Sequence, residues 1–171
     1  AGGGAPPGME PVQAVSVPAL TGGRAGRMSL QALRVWRAAL SLGADVYHFH
    51  DPELLPGALL ARLIGRRVIY DVHEEVHLDI RTKFYLHPWV RSTLSLGYLM
   101  LEQLSAPLFS ALMAANESTR ERLGRHSARV TYVPNYPLRD EIVPAPLGGP
   151  RHGVAYVGAI TRDRGIREMV V

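Results

Sequence analysis

The sequence predicts an α/β fold built on a doubly wound, mainly parallel sheet, and three observations predict it. Short runs rich in Val, Tyr and Ile alternate with segments of helical period along the chain. Gly or Pro closes most of these segments, as expected where strands and helices meet at short turns. Arg67-Val-Ile-Tyr-Asp-Val72 is a nearly continuous apolar run, the pattern of a strand covered on both faces in a parallel sheet.

Taken in order, Val12 to Val17 alternates and stops at Pro18, which predicts a short strand, and Thr21 to Arg27 reads as a loop. Ser29 to Leu42 has helical period, with Leu30, Leu33, Trp36 and Leu40 on one face and Gly43 as its stop. Asp45 to His50 is the next strand. Asp51 can cap the following helix and Pro52 suits its first position; the helix runs through Leu54, Leu55, Leu59, Leu60 and Leu63 to a stop at Gly65. After Arg67–Val72 a mixed loop leads to Pro88, which opens a long helix to about Ser105, broken by Pro107. Ser110 to Ala115 is a short apolar strand, Asn116 starts an Arg-rich helix, and Arg129 to Val133 is another strand. Residues 138–152, with Pro144, Pro146, Gly148, Gly149 and Pro150, read as a linker, and 153–157 as a fresh strand followed by a loop and a new helix.

The 171 residues suit about one domain, and 19 basic against 15 acidic side chains give a net charge of +4. The basic residues are spread among the acids, which argues against a dedicated nucleic-acid tail, so no nucleic-acid partner is expected. The cysteine-free chain excludes disulfide scaffolds, thiolate zinc sites, iron–sulfur clusters and cysteine nucleophiles. No stretch reaches the roughly 18 to 20 apolar residues that span a bilayer. Ala1 to Pro11 lacks the order of a signal peptide, so a reducing cytoplasm is the default location. The chain stops a few residues into its last helix, and a fragment is expected.

In a doubly wound sheet, ligands bind beyond the carboxyl ends of the strands. His50-Asp51, His73-Glu74-Glu75, Asn116-Glu117 and Asn135 all fall there. His48 and His50 lie two apart and share a face; with Asp51 and His73 they can hold a divalent metal, or they can simply pack while Asp51 caps a helix. His73 can donate a hydrogen bond to a substrate oxygen or carry protons; otherwise it is a loop histidine satisfied by Glu74 or Glu75. Gly158 to Gly165, between a strand and a helix, offers a Gly turn, helix N–H groups and guanidinium groups, a natural diphosphate seat. Asn116-Glu117-Ser118 is formally a glycosylation sequon, read here as a helix cap. Arg120, Arg122, Arg125 and Arg129 read as a solvated face, and Trp89 to Ser105 as core, with contact at a membrane surface as the alternative for part of it.

Ala44-Asp-Val-Tyr-His-Phe-His-Asp-Pro-Glu-Leu-Leu-Pro56, Val68-Ile-Tyr-Asp-Val-His-Glu74, Val133-Pro-Asn135 and Tyr156-Val-Gly-Ala-Ile-Thr-Arg-Asp-Arg-Gly-Ile166, in that order, resemble family 4 glycosyltransferases of the GT-B fold. The resemblance covers the chain from about Val12 onward. It implies two Rossmann-like domains facing across a cleft: residues 1–137 as the acceptor-side domain lacking its first strand, 138–152 as the linker, and 153–171 as the start of the donor-binding domain. It further implies a retaining transferase of the hexosyltransferase type, of the kind that builds polysaccharides. Such an enzyme moves a sugar from a nucleotide-sugar to a lipid-linked or surface-glycan acceptor with no cofactor and no catalytic metal. Position by position, His73 matches the catalytic histidine near the donor sugar, and Gly158 and Arg164 match the donor-phosphate loop, with Arg164 where the family often has Lys. Ala159 stands where many members have a second phosphate-binding Arg, a role Arg162 can take. His50, Asp51, Glu74 and Asn135 then face the cleft on the acceptor side.

The family's paired donor-domain glutamates would lie beyond Val171, so the chain alone is expected to be inactive. The resemblance places the protein in the cytoplasm, with peripheral contact at the inner face of the cell membrane as an option. The rival readings are a non-enzymatic glycan-binding or membrane-docked module and a metal-dependent hydrolase using His48 and His50.

Overall fold

The structure is a computed structural model that describes residues 13–20, 24–137, 152–153, 155–158, 160 and 164–170. Its centre is a four-stranded, all-parallel sheet in the order β1-β2-β3-β4, formed by β1 (Val46–Phe49), β2 (Arg67–Val72), β3 (Ala111–Ala114) and β4 (Val130–Tyr132). Helices α1 (Arg24–Ser41), α2 (Leu55–Leu63), α3 (Val76–Arg81), α4 (Pro88–Ser105) and α5 (Glu117–Gly124) connect and flank it. The α/β class and the parallel sheet are as predicted.

Each crossover advances the sheet in one direction, so right-handed connections lay α2, the α3–α4 pair and α5 over one face. That face is the core. Tyr47 and Phe49 of β1, Val68, Tyr70 and Val72 of β2 and Leu112 of β3 meet Trp36, Leu55, Ala58, Ala61, Phe109 and Leu123 beneath the helices. The rings of Phe49 and Tyr70 stack at 4.5 Å, with Phe109 edge-on to both. Burying each such side chain contributes about 1.5–3 kcal/mol. The alternate residues, among them His48 and Asp71, point to the opposite face and stay partly exposed, which is how a polar set comes to lie on an otherwise apolar sheet.

Gly43 and Gly65 close α1 and α2 with φ of 64° and 85°, a conformation that an L side chain rarely adopts. Asn116 caps α5 by accepting the Thr119 N–H at 2.8 Å, in line with the capping reading of that sequon. Asp51 does not cap: a single 3-10 turn, Pro52–Leu54, precedes α2, and no side-chain cap bond is made there.

Several expectations need correction: α1 already begins at Arg24, inside the expected loop, and Trp89 to Ser105 is not core throughout, since Trp89, Leu96, Met100 and Leu104 are exposed. Residues 13–20 form no strand, because nothing in the described sheet pairs with them. Of the face predicted for α1, Leu30 and Leu33 lie exposed, whereas Trp36 is buried in the core and Leu40 packs partly buried against it. On α2 the buried residues are Leu55, Ala58 and Ala61, and Leu60 and Leu63 are exposed. The loop expected before Pro88 contains α3. In the carboxyl-terminal part, residues 155–157 carry no regular structure, α6 (Ile166–Val170) forms as a short helix, and residues 138–151 of the linker lie outside the described residues. Among the described residues no helix is long and apolar enough to cross a membrane.

Candidate functional site

The carboxyl ends of β1 and β2 and the loop after β4 build one polar site. β2 is a run of alternating burial in which Val68, Tyr70 and Val72 anchor to the core. That anchoring fixes the next residue, His73, just past the strand end. β1 delivers His50 and Asp51 in the same way, held by Tyr47 and Phe49. His50, Asp51, Pro52, Tyr70, Val72, His73, Glu74 and Val76 line a pocket of about 110 Å³. Pockets for whole ligands run to about 300–1,000 Å³, so this one suits one end of a larger site.

Within it the His73 and His50 rings stand edge-to-face with centroids 5.9 Å apart. His50 Nε2 lies 3.5 Å from Asp51 Oδ1, the contact that takes the place of the expected cap. His73 is engaged on both ring nitrogens: Asn135 Nδ2 is 3.1 Å from Nδ1, and Asp71 Oδ2 is 3.1 Å from Nε2. The same Asp71 oxygen lies 3.3 Å from His48 Nε2. His73 is therefore satisfied by Asp71 and Asn135, not by the neighbouring glutamates suggested by sequence.

Those glutamates diverge. Glu74 lines the pocket, whereas Glu75 turns to α5, where it accepts from Thr119 Oγ1 at 2.8 Å and from Arg122 Nε at 3.1 Å. Arg122 also pairs with Glu102 of α4. Glu102 lies 3.4 Å from the Tyr70 hydroxyl, which is hydrogen-bonded to that of Tyr98 at 2.8 Å. Burial pushes the Tyr70 and Tyr98 hydroxyls well above the usual phenol range, and the Glu102 carboxylate adds to the shift. Arg122 is thus no part of a solvated face. It belongs to a charged network that ties the loop after His73 to α4 and α5 from behind.

Gly158, at φ 155°, has the Tyr156 hydroxyl where a Cβ would come within 2.9 Å of it, and Arg164 is exposed just before α6. Neither lines the pocket around His73. Arg162 and Ala159 lie outside the described residues. Among the described residues no three His, Asp or Glu side chains come together so as to hold a metal ion. The hydrolase alternative gains no ligand set from His48, His50, Asp51 and His73.

Asp71 and His48 are the participants missed from sequence as a pair. The signal for Asp71 was its carboxylate inside an otherwise apolar strand, and its consequence depends on partners distant in the chain.

The architecture and this polar edge agree with one comparison: a family model described as a glycosyl transferase 4-like domain matches residues 1–136. No curated protein and no solved structure gives a significant match.

Proposed function

The chain belongs to the family of glycosyl transferase 4-like domains, and from that premise we propose that it serves a retaining transfer of a hexose from a nucleotide-sugar to a lipid-linked or surface-glycan acceptor. The observation that carries the reading is His73, held over a pocket at the carboxyl end of a central strand by contacts to both ring nitrogens. A substrate-orienting side chain belongs at that edge of a parallel sheet.

In this reading residues 1–137 form the acceptor-side domain and 153–171 open the donor side. His73 orients the donor sugar, His50, Asp51, Glu74 and Asn135 border the acceptor, and Gly158, Arg164 and Arg162 seat the diphosphate. As the bond from the anomeric carbon to the phosphate oxygen breaks, its electron pair stays on the diphosphate, the acceptor hydroxyl oxygen bonds to that carbon, and the hydroxyl proton passes to the departing diphosphate. Arg164 stabilises the growing negative charge, gripping it as a fork where Lys would act as a point charge. No metal is required for that step.

A lipid-linked acceptor would bring the protein to the cytoplasmic face of a membrane. One surface suits it: Phe84, Tyr85 and Trp89, at 63%, 69% and 66% exposure, project around the start of α4. Arg91 lies over the Phe84 ring at 5.4 Å and bonds the Arg81 carbonyl, and Lys83 adjoins them. Leu96, Met100 and Leu104 continue the exposed stripe along the same helix face. Aromatic residues flanked by cations are the make-up of an interfacial contact with anionic lipid.

The test is transfer from a panel of nucleotide-sugars to a lipid-linked acceptor by the full-length protein. His73→Ala and Arg164→Ala should each lower turnover by roughly 100-fold, the scale of removing one transition-state contact, while circular dichroism stays native. Unchanged rates in both variants would remove the assignment, and glycan or vesicle binding without nucleotide affinity would put the non-enzymatic module in its place.

A further inference from the structure

We propose that Asp71 is the positioning residue for His73: it holds the ring proton on Nε2 and so leaves Nδ1 as the face that accepts a hydrogen bond from a substrate hydroxyl. The inference rests on the transferase reading for its substrate, but its geometric half stands on the site alone.

An amide nitrogen only donates, and Asn135 Nδ2 lies 3.1 Å from His73 Nδ1. The Nδ1 lone pair must receive that N–H, so the proton of the neutral ring sits on Nε2. Asp71 Oδ2 waits 3.1 Å from Nε2, the acceptor that this tautomer requires. Asp71 is well placed to impose it. It sits on β2, two residues before His73, between the anchored residues Tyr70 and Val72, and its side chain is only 14% exposed. His48 Nε2, 3.3 Å from the same oxygen, flanks the carboxylate from β1.

The two sides of the ring differ in what can move. Asp71 is fixed in a central strand, whereas Asn135 is exposed and lies beyond the end of β4, 62 residues from His73 in the chain. A substrate hydroxyl reaching the ring replaces the Asn135 amide, donor for donor, and finds a lone pair. His73 therefore accepts from substrate, the reverse of the donor role suggested by sequence. The tautomer with its proton on Nδ1 would turn an N–H toward both Asn135 and the incoming hydroxyl proton, and would face the Asp71 carboxylate with a lone pair. Loss of the correct tautomer is a known way for an orienting carboxylate's removal to abolish activity.

The experiment is nitrogen-15 NMR of the histidine rings in the full chain, assigned with His73→Gln, together with turnover of Asp71→Asn and Asp71→Ala. The expected result is a His73 ring protonated on Nε2 in the native protein and a mixture of tautomers in both Asp71 variants. Turnover should drop roughly tenfold or more with little change in donor KM, because orientation is lost more than binding. Asp71→Asn keeps the side-chain volume and serves as the readout should Asp71→Ala fail to fold. A native ring protonated on Nδ1, or a tautomer indifferent to Asp71, overturns the proposal. Full transfer by His73→Ala would instead sink the role assigned to His73 in transfer, and with it the substrate half of this inference, whereas the tautomer result still decides the geometric half.

Discussion

Arg122 of α5 is ion-paired with Glu102 of α4, a carboxylate on a residue only 1% exposed. The pair joins two helices that the chain connects only through β3, and Glu75 on the other side of the guanidinium links it to the loop behind His73. Removing one partner leaves a buried charge unpaired, which costs about 3–5 kcal/mol. Arg122→Ala should lose stability on that scale in urea unfolding. Arg122→Met with Glu102→Gln should lose less, because the fully buried Glu102 site then holds no charge and only the partly exposed Glu75 carboxylate, still bonded by Thr119, loses its cation. Equal losses in the single and double variants would show that packing, and not charge, dominates there.

Alkaline stability follows from the same network. Tyr70 and Tyr98 are raised above their ordinary phenol range, chiefly by burial. A raised acid pKa means that the folded state keeps protons which the unfolded chain releases above about pH 10. The stabilisation is whole below that pH and declines above it, by about 1.4 kcal/mol per pH unit for each tyrosine. Tyr70→Phe should flatten the decline in denaturant unfolding measured from pH 9 to 11. A slope unaltered by the substitution would assign the alkaline loss to other groups.

Local signals carried the fold far, and the reasons for the rest are physical. β2 was legible because its apolar run is continuous, and α4 because Pro88 and Pro107 bracket it. The helix α3 has six residues, no side-chain cap and no proline, so nothing marked it. The alternation at 13–17 resembled a strand, yet a strand exists only with a partner, and alternation does not supply one. On α1 the predicted face was right at Trp36, which is buried and bonds the Leu54 carbonyl at 2.8 Å, and at Leu40, but its amino-terminal turns, with Leu30 and Leu33, run past the core. At the site, His73, His50, Glu74 and Asn135 were readable as polar residues at strand ends. The Asp71 contact was not, since sequence gives no hint of which histidines a carboxylate will meet.

The exposed aromatic cluster makes a prediction about lipid surfaces. Replacing Phe84, Tyr85 and Trp89 together by Ser should abolish co-sedimentation with vesicles rich in phosphatidylglycerol. Lys83→Glu should weaken it several-fold, since a cation at an anionic surface contributes about 1 kcal/mol and the reversal also adds repulsion. Vesicles of phosphatidylcholine alone should bind poorly in every case. Native-like sedimentation of the triple variant would remove this surface from consideration.

Gly57 lets α1 reach the site's supporting turn. A Cβ added there would stand 2.2 Å from the Trp36 ring, so the indole must leave its place in any variant larger than Gly. Trp36 is buried against Tyr47 and Phe49, the two residues that anchor β1 and thereby His50. Its Nε1–H also bonds the carbonyl of Leu54, in the turn that follows Asp51. Gly57→Ala gains helix propensity of at most about 1 kcal/mol, but overpacking of this kind costs about 1–3 kcal/mol. The net expectation is a loss of stability together with a changed near-ultraviolet circular dichroism signal from Trp36. A more stable protein with an unchanged tryptophan signal would mean that the ring does not rest on Gly57 and that α1 is held elsewhere.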